Sequence, residues 1–185
     1  MLGFWKNSPA QYKILFFLMT IFSLVNSSDV FLILKSRNVS GSDTLAIAGY
    51  IFYNLIYAAS SYPIGILADR FGKKKVFVIG LLIFSVVYFG FASINSFALV
   101  WILFALYGIY ASSTEGVLKA WVSDLVPDQN RGSAIGLITM SSSFAMMIGS
   151  VAAGFLWDTF GSHVPFYLSS SVSFIVAISL FKLKK

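Results

Sequence analysis

Apolar residues fall in long blocks along this chain, separated by short polar or charged stretches. Six blocks stand out, about Ile14 to Leu34, Thr44 to Ala68, Lys75 to Ser93, Phe97 to Val122, Gly132 to Trp157 and Val164 to Phe181. Each approaches or exceeds the ~18 apolar residues that let a helix cross a bilayer. Hydrocarbon offers backbone amides no partner, so each block is expected to be a helix that satisfies its own. The pattern predicts an all-α integral membrane protein, a single six-helix domain over residues 1–185.

Composition agrees. Of 185 residues 58% are hydrophobic and 11% charged, whereas a water-exposed surface takes about 25% charged residues. The net charge is +6, from 13 Lys and Arg against 7 Asp and Glu. With no soluble domain to carry nucleic-acid binding, the basic residues are explained by the positive-inside rule. The absence of cysteine excludes disulfides, thiol catalysis and cysteine-bound metals. The first block follows Lys13, exceeds a secretory h-region in length and precedes no A-x-A site, so it is expected to persist as a span.

Counting charges orients the spans. The side of the N-terminus takes Lys6, Lys13, Arg70, Lys73, Lys74, Lys75, Lys119, Arg131, Lys182, Lys184 and Lys185, and the other side takes only Lys35 and Arg37. Both termini are therefore expected in the cytoplasm, with a bacterial inner membrane as the location.

The second block ends in Gly65-Ile66-Leu67-Ala68-Asp69-Arg70-Phe71-Gly72, and the fifth in Gly154-Phe155-Leu156-Trp157-Asp158-Thr159-Phe160-Gly161. Five of the eight positions are identical, in register, at equivalent places in two sets of three spans. An inverted 3+3 repeat, with units of about 14–94 and 97–182, would leave this trace. Only the first copy continues into the basic run Lys73-Lys74-Lys75, as its cytoplasmic side requires.

The pattern G-x-L-x-D-R-x-G followed by basic residues resembles the signature loop of the major facilitator superfamily. The stretch Ser123-Asp124-Leu125-Val126-Pro127-Asp128-Gln129-Asn130-Arg131-Gly132 resembles the cytoplasmic loop that opens the fifth helix of a facilitator half. Asn26-Ser27-Ser28-Asp29 and Tyr110-Ala111-Ser112-Ser113-Thr114-Glu115-Gly116 resemble the C-terminal half in one bacterial branch. The resemblance covers essentially the whole chain. It implies that the first and fourth spans line a central cavity, the second and fifth face another half, and the third and sixth face lipid. It further implies that Gly65, Asp69, Arg70, Gly72, Lys73 and Lys74 act as a latch between halves. By chemistry alone, the same loop is also a plain topological anchor, with its glycines permitting a tight turn and its cations held at an anionic leaflet.

Ionisable residues inside spans are the candidates for chemistry, because their insertion is costly. Asp29 lies in a polar patch with Asn26, Ser27 and Ser28, without a close basic partner. It is a candidate proton or solute site, or else a structural cap. Glu115 has Lys119 four residues on, an order and spacing that favour a structural ion pair. Asn54, Tyr57, Tyr107 and Tyr110 are candidate hydrogen-bonding groups for a cavity. On the fifth span Gly132, Ala134, Gly136, Ser141, Ser142, Ser143, Gly149, Ala153 and Gly154 predict tight helix packing, against this bundle or a second one. Pro63 is expected to bend the second span or be tolerated there.

An enzyme lacks parts: the one histidine, His163, sits in an outer loop, and no hydrolase, zincin or nucleotide fingerprint occurs. No cofactor and no metal are expected. The chain thus reads as half a secondary transporter for a small solute, with H+ as a possible co-substrate. Its partners would be the lipid bilayer and a second six-helix unit, self or a separate N-terminal half. An orphaned half with only an interaction role is the alternative. The solute, coupling ion and transport direction are not legible.

Overall fold

The computed structural model describes residues 2–94 and 96–183, excluding the side chains of residues 2 and 3. Lys184 and Lys185, counted above for orientation, lie outside these. The chain is all helix among the described residues: α1 (Leu2–Asn7), α2 (Ala10–Val25), α3 (Val30–Ser40), α4 (Asp43–Phe71), α5 (Lys73–Ser93), α6 (Phe97–Leu125), a 3-10 turn Asp128–Asn130, α7 (Arg131–Phe160) and α8 (His163–Lys182). Among the described residues, six helical stretches are long and apolar enough to cross a membrane.

The first span departs from the expected single helix. It is two helices, α2 and α3, with the ladder interrupted over Asn26–Asp29. Four consecutive residues there offer short polar side chains that compete for backbone groups. Ser28 Oγ accepts from the Val30 amide at 3.4 Å, and the Ser28 amide itself turns to Ser150 Oγ on α7 at 3.1 Å. Ser169 on α8 donates to the Val25 carbonyl at 2.6 Å. The break is therefore filled from two neighbouring helices, which is how non-helical backbone survives at membrane depth. Pro63, by contrast, sits inside α4 without ending it.

Packing divides the bundle. Helix α2 runs against α7 and α8, while α3 packs on α4; α5 is clasped between α6 and α8, and α4 lies along α6. Small residues set these approaches. A Cβ on Gly108 would come within 2.9 Å of the Tyr53 carbonyl, and one on Gly80 within 2.8 Å of Ser113 and Thr114. A buried aromatic core follows, centred on Phe84, Tyr88, Phe91, Phe104 and Phe166.

Spans α4 and α7 are the least enclosed, with 11% and 22% of their most apolar stretch buried, against 56% for α5 and for α6. The small residues of α7 divide accordingly. Ala134 is fully buried and Ser141 meets Thr20 of α2 at 2.8 Å, whereas Gly132 and Gly136 have open space where a Cβ would point.

The two sequence echoes end their helices alike. Gly72 and Gly161 have φ of 98° and 99°, and each amide bonds back four residues, to the carbonyls of Ala68 and Trp157. A residue with positive φ stops a helix within one position, and glycine takes it without strain. This fits a repeated unit.

Candidate functional site

The break in the first span creates a polar point inside the bundle. Asp29, at the head of α3, accepts two phenolic hydrogen bonds: Tyr107 of α6 donates to Oδ1 at 2.6 Å and Tyr50 of α4 donates to Oδ2 at 3.1 Å. The carboxylate thus ties three helices together through charge-assisted bonds, which are stronger than neutral ones. Tyr53 fills the space between its donors, its ring centroid 4.8 Å from Tyr107 and 5.2 Å from Tyr50. Tyr110 follows at 5.2 Å from Tyr107.

These groups wall a cavity of about 490 Å³ that also takes in Asn26, Ser27, Ser28, Glu115 and Met146. Its mixture of aromatic faces with a few convergent polar atoms is the usual make-up of a small-molecule site. Among the sequence candidates, Asn26, Asp29, Tyr107, Tyr110 and Glu115 are brought together here. Asn54 is not. Its side-chain amide donates to the Tyr50 carbonyl of its own helix at 2.8 Å, and it is not among the lining residues.

Glu115 corrects the expected ion pair. Its carboxylate accepts from Tyr57 of α4 at 2.9 Å, and no Glu115–Lys119 bridge forms among the described residues. A phenol on the facing helix reaches the carboxylate and removes the incentive for an exposed pair, which contributes little in any case. Tyr57 itself lines a second cavity, of about 280 Å³, that leads along Ser61 and Gly65 to Asp69 and Lys73.

Tyr50 and Tyr53 are the site residues that the sequence reading missed. The signal was present: Tyr50, Tyr53 and Tyr57 stand at i, i+3 and i+7, one face of one helix. Asn54, at i+4, shares that face, but its amide is turned back onto the Tyr50 carbonyl.

The loop that follows Asp69 is tied to its own bundle. Lys73 pairs with Asp124 at the end of α6 at 2.7 Å, and Lys74 donates to the Phe181 carbonyl at 3.2 Å and to that of Leu183. Arg70 lies over the Phe71 ring, 5.5 Å from its centroid. Arg131 bonds Asp128 at 3.0 Å and the Ser123 carbonyl at 3.1 Å, closing the α6–α7 loop. The Lys73 and Asp124 side chains are 24% and 53% exposed. A double-mutant cycle with Lys73→Ala and Asp124→Ala should therefore return a coupling of about 0.2–1 kcal/mol in detergent unfolding. A coupling well beyond that would mean the pair is desolvated by something further.

Comparison with known proteins decides the family. The model of the Major Facilitator Superfamily matches residues 12–185. The chain belongs to this superfamily. It is 37% identical over 158 residues to an MFS-type transporter of Methanocaldococcus jannaschii, covering 82% of this chain and 40% of that protein. It is 30% identical over 154 residues to multidrug resistance protein 2 of Bacillus subtilis, covering 82% and 38%. With the quinolone resistance protein NorA of Staphylococcus aureus it shares 28% over 152 residues, covering 80% and 38%. The chain thus spans about two fifths of the length of these relatives. This facilitator sequence is a multi-pass membrane protein of a transporter family, and the six long apolar helices among the described residues agree with that.

Proposed function

We propose that this facilitator unit forms one wall of a secondary transporter that moves a small organic solute by alternating access. It corresponds to a C-terminal half and works in the bacterial inner (plasma) membrane with both termini cytoplasmic. The observation that carries the reading is Asp29, held by two tyrosines at a broken helix and facing a cavity. Broken spans at midplane are where secondary transporters place solutes and coupling ions. Asp29 is assigned the proton or solute contact, with Glu115 as a second acidic group on the same cavity. Tyr50 and Tyr107 orient Asp29 and Tyr57 orients Glu115, while Tyr53 and Tyr110 offer ring faces.

The opposite wall comes from a second six-helix unit, either another copy of this chain or a separate N-terminal half. Two features support that: α4 and α7 leave their apolar faces open, with Ile51, Leu55, Phe144, Met147 and Val151 all more than half exposed, and open glycines on α7 leave room for close helix approach. The names of the relatives make a quinolone a reasonable first solute.

The test is native mass from nanodiscs together with quinolone flux in vesicles under a pH gradient. A two-copy complex with gradient-driven flux is the expected result. Flux that appears only when a separate N-terminal half is added would support the second form of the unit. No flux in either arrangement would overturn transport.

A further inference from the structure

A third cavity, of about 260 Å³, lies between α2, α6 and α7 on the terminal side of the break. Glu115 and Lys119 both line it. They are one turn apart on α6, about 5–6 Å between Cβ atoms in any helix. Such a pair would ordinarily close on itself. Here Tyr57 holds the carboxylate, and among the described residues the Lys119 ammonium has neither an ion-pair nor a hydrogen-bond partner. One wall of the cavity therefore presents a negative and a positive group separately. A second, independent feature points the same way. Ser142 of α7 is one of the lining residues, and its Oγ is shielded and has no hydrogen-bond partner among the described residues. Buried hydroxyls are almost always satisfied, so an unpartnered one in the cavity wall is a donor that lacks an acceptor. Met19, Phe22 and Phe77 supply an apolar floor.

We infer that this cavity binds zwitterions: solutes with a cationic nitrogen and an anionic oxygen group at opposite ends of a short apolar or aromatic body. The nitrogen meets Glu115; the anionic group meets Lys119 and the Ser142 hydroxyl. A simple cation would gain Glu115 and suffer Lys119, and a simple anion the reverse. The opposed charges thus select against both, which is specificity through repulsion as well as attraction. The inference rests on the transport reading above and names the class of solute for it.

Three probes that share a benzene ring separate the possibilities: 4-(aminomethyl)benzoate, benzylamine and benzoate, measured by equilibrium dialysis on the chain in nanodiscs. The zwitterion should bind about ten-fold tighter than benzylamine, the effect of one well-placed charge contact. In Lys119→Gln this ratio should fall to about one, with benzylamine binding more tightly because a like charge is gone. Lys119→Arg should keep the zwitterion preference, and Glu115→Gln should weaken both amines. Benzylamine binding as tightly as the zwitterion, or a ratio that survives Lys119→Gln, would overturn the inference and leave the cavity reading standing. Failure of all three probes to bind would overturn both.

Discussion

Gly149→Ala is expected to destabilise the chain by about 1–3 kcal/mol, the usual cost of forcing an extra carbon into a packed contact. An ideal Cβ at Gly149 would lie 2.2 Å from the Leu24 carbonyl oxygen and 2.7 Å from its carbon. Those are backbone atoms, so no rotamer change relieves the clash, and α2 must back away from α7. The movement would strain every link between these helices: the Tyr12 hydroxyl to the Ala134 carbonyl at 2.9 Å, Thr20 to Ser141 at 2.8 Å, and the Ser28 amide to Ser150 at 3.1 Å. The last of these positions the break, so Asp29 should lose register with its tyrosines as well. Gly136→Ala on the same helix is the control. Open space surrounds its Cβ position, and alanine favours the helix by up to about 1 kcal/mol. The two alanines should therefore shift a detergent unfolding midpoint in opposite directions. If Gly149→Ala unfolds like the native chain, the seating of the broken span on α7 is wrong.

How much of this was legible follows from which forces the sequence exposes. Span number and approximate limits follow from apolar length, which the bilayer fixes independently of packing. The break at Asn26–Asp29 was visible as a polar patch but not as an interruption. Whether such residues leave the helix depends on partners outside it, and Ser150 and Ser169 lie more than a hundred positions away. Glu115 illustrates the same limit. Its i+4 neighbour is local and readable, whereas Tyr57, which takes the carboxylate, is brought in by the α4–α6 crossing. Small residues on α7 announced close packing without saying which of them pack. Gly149 does and Gly136 does not, because only one faces α2.

Asp29→Asn should abolish gradient-driven flux and flatten its pH dependence while leaving a folded bundle. Asparagine keeps the shape of the side chain and one acceptor oxygen. Its amide meets the second tyrosine, whose hydroxyl can turn to accept. What disappears is the charge, and with it the extra strength of hydrogen bonds to an ionised acceptor. The stability loss should thus be about 1–2 kcal/mol. The loss of transport should be complete if Asp29 is the group that exchanges a proton or meets a cationic solute, since asparagine can do neither. Tyr107→Phe separates charge from position. It removes the shorter of the two bonds, 2.6 Å, but keeps the carboxylate, so flux should fall and yet still respond to pH. Flux from Asp29→Asn that matches the native rate and pH response would exclude Asp29 from coupling. Its two tyrosine bonds would then be a structural clasp on the broken span, and Glu115 would be the remaining acidic group on the cavity.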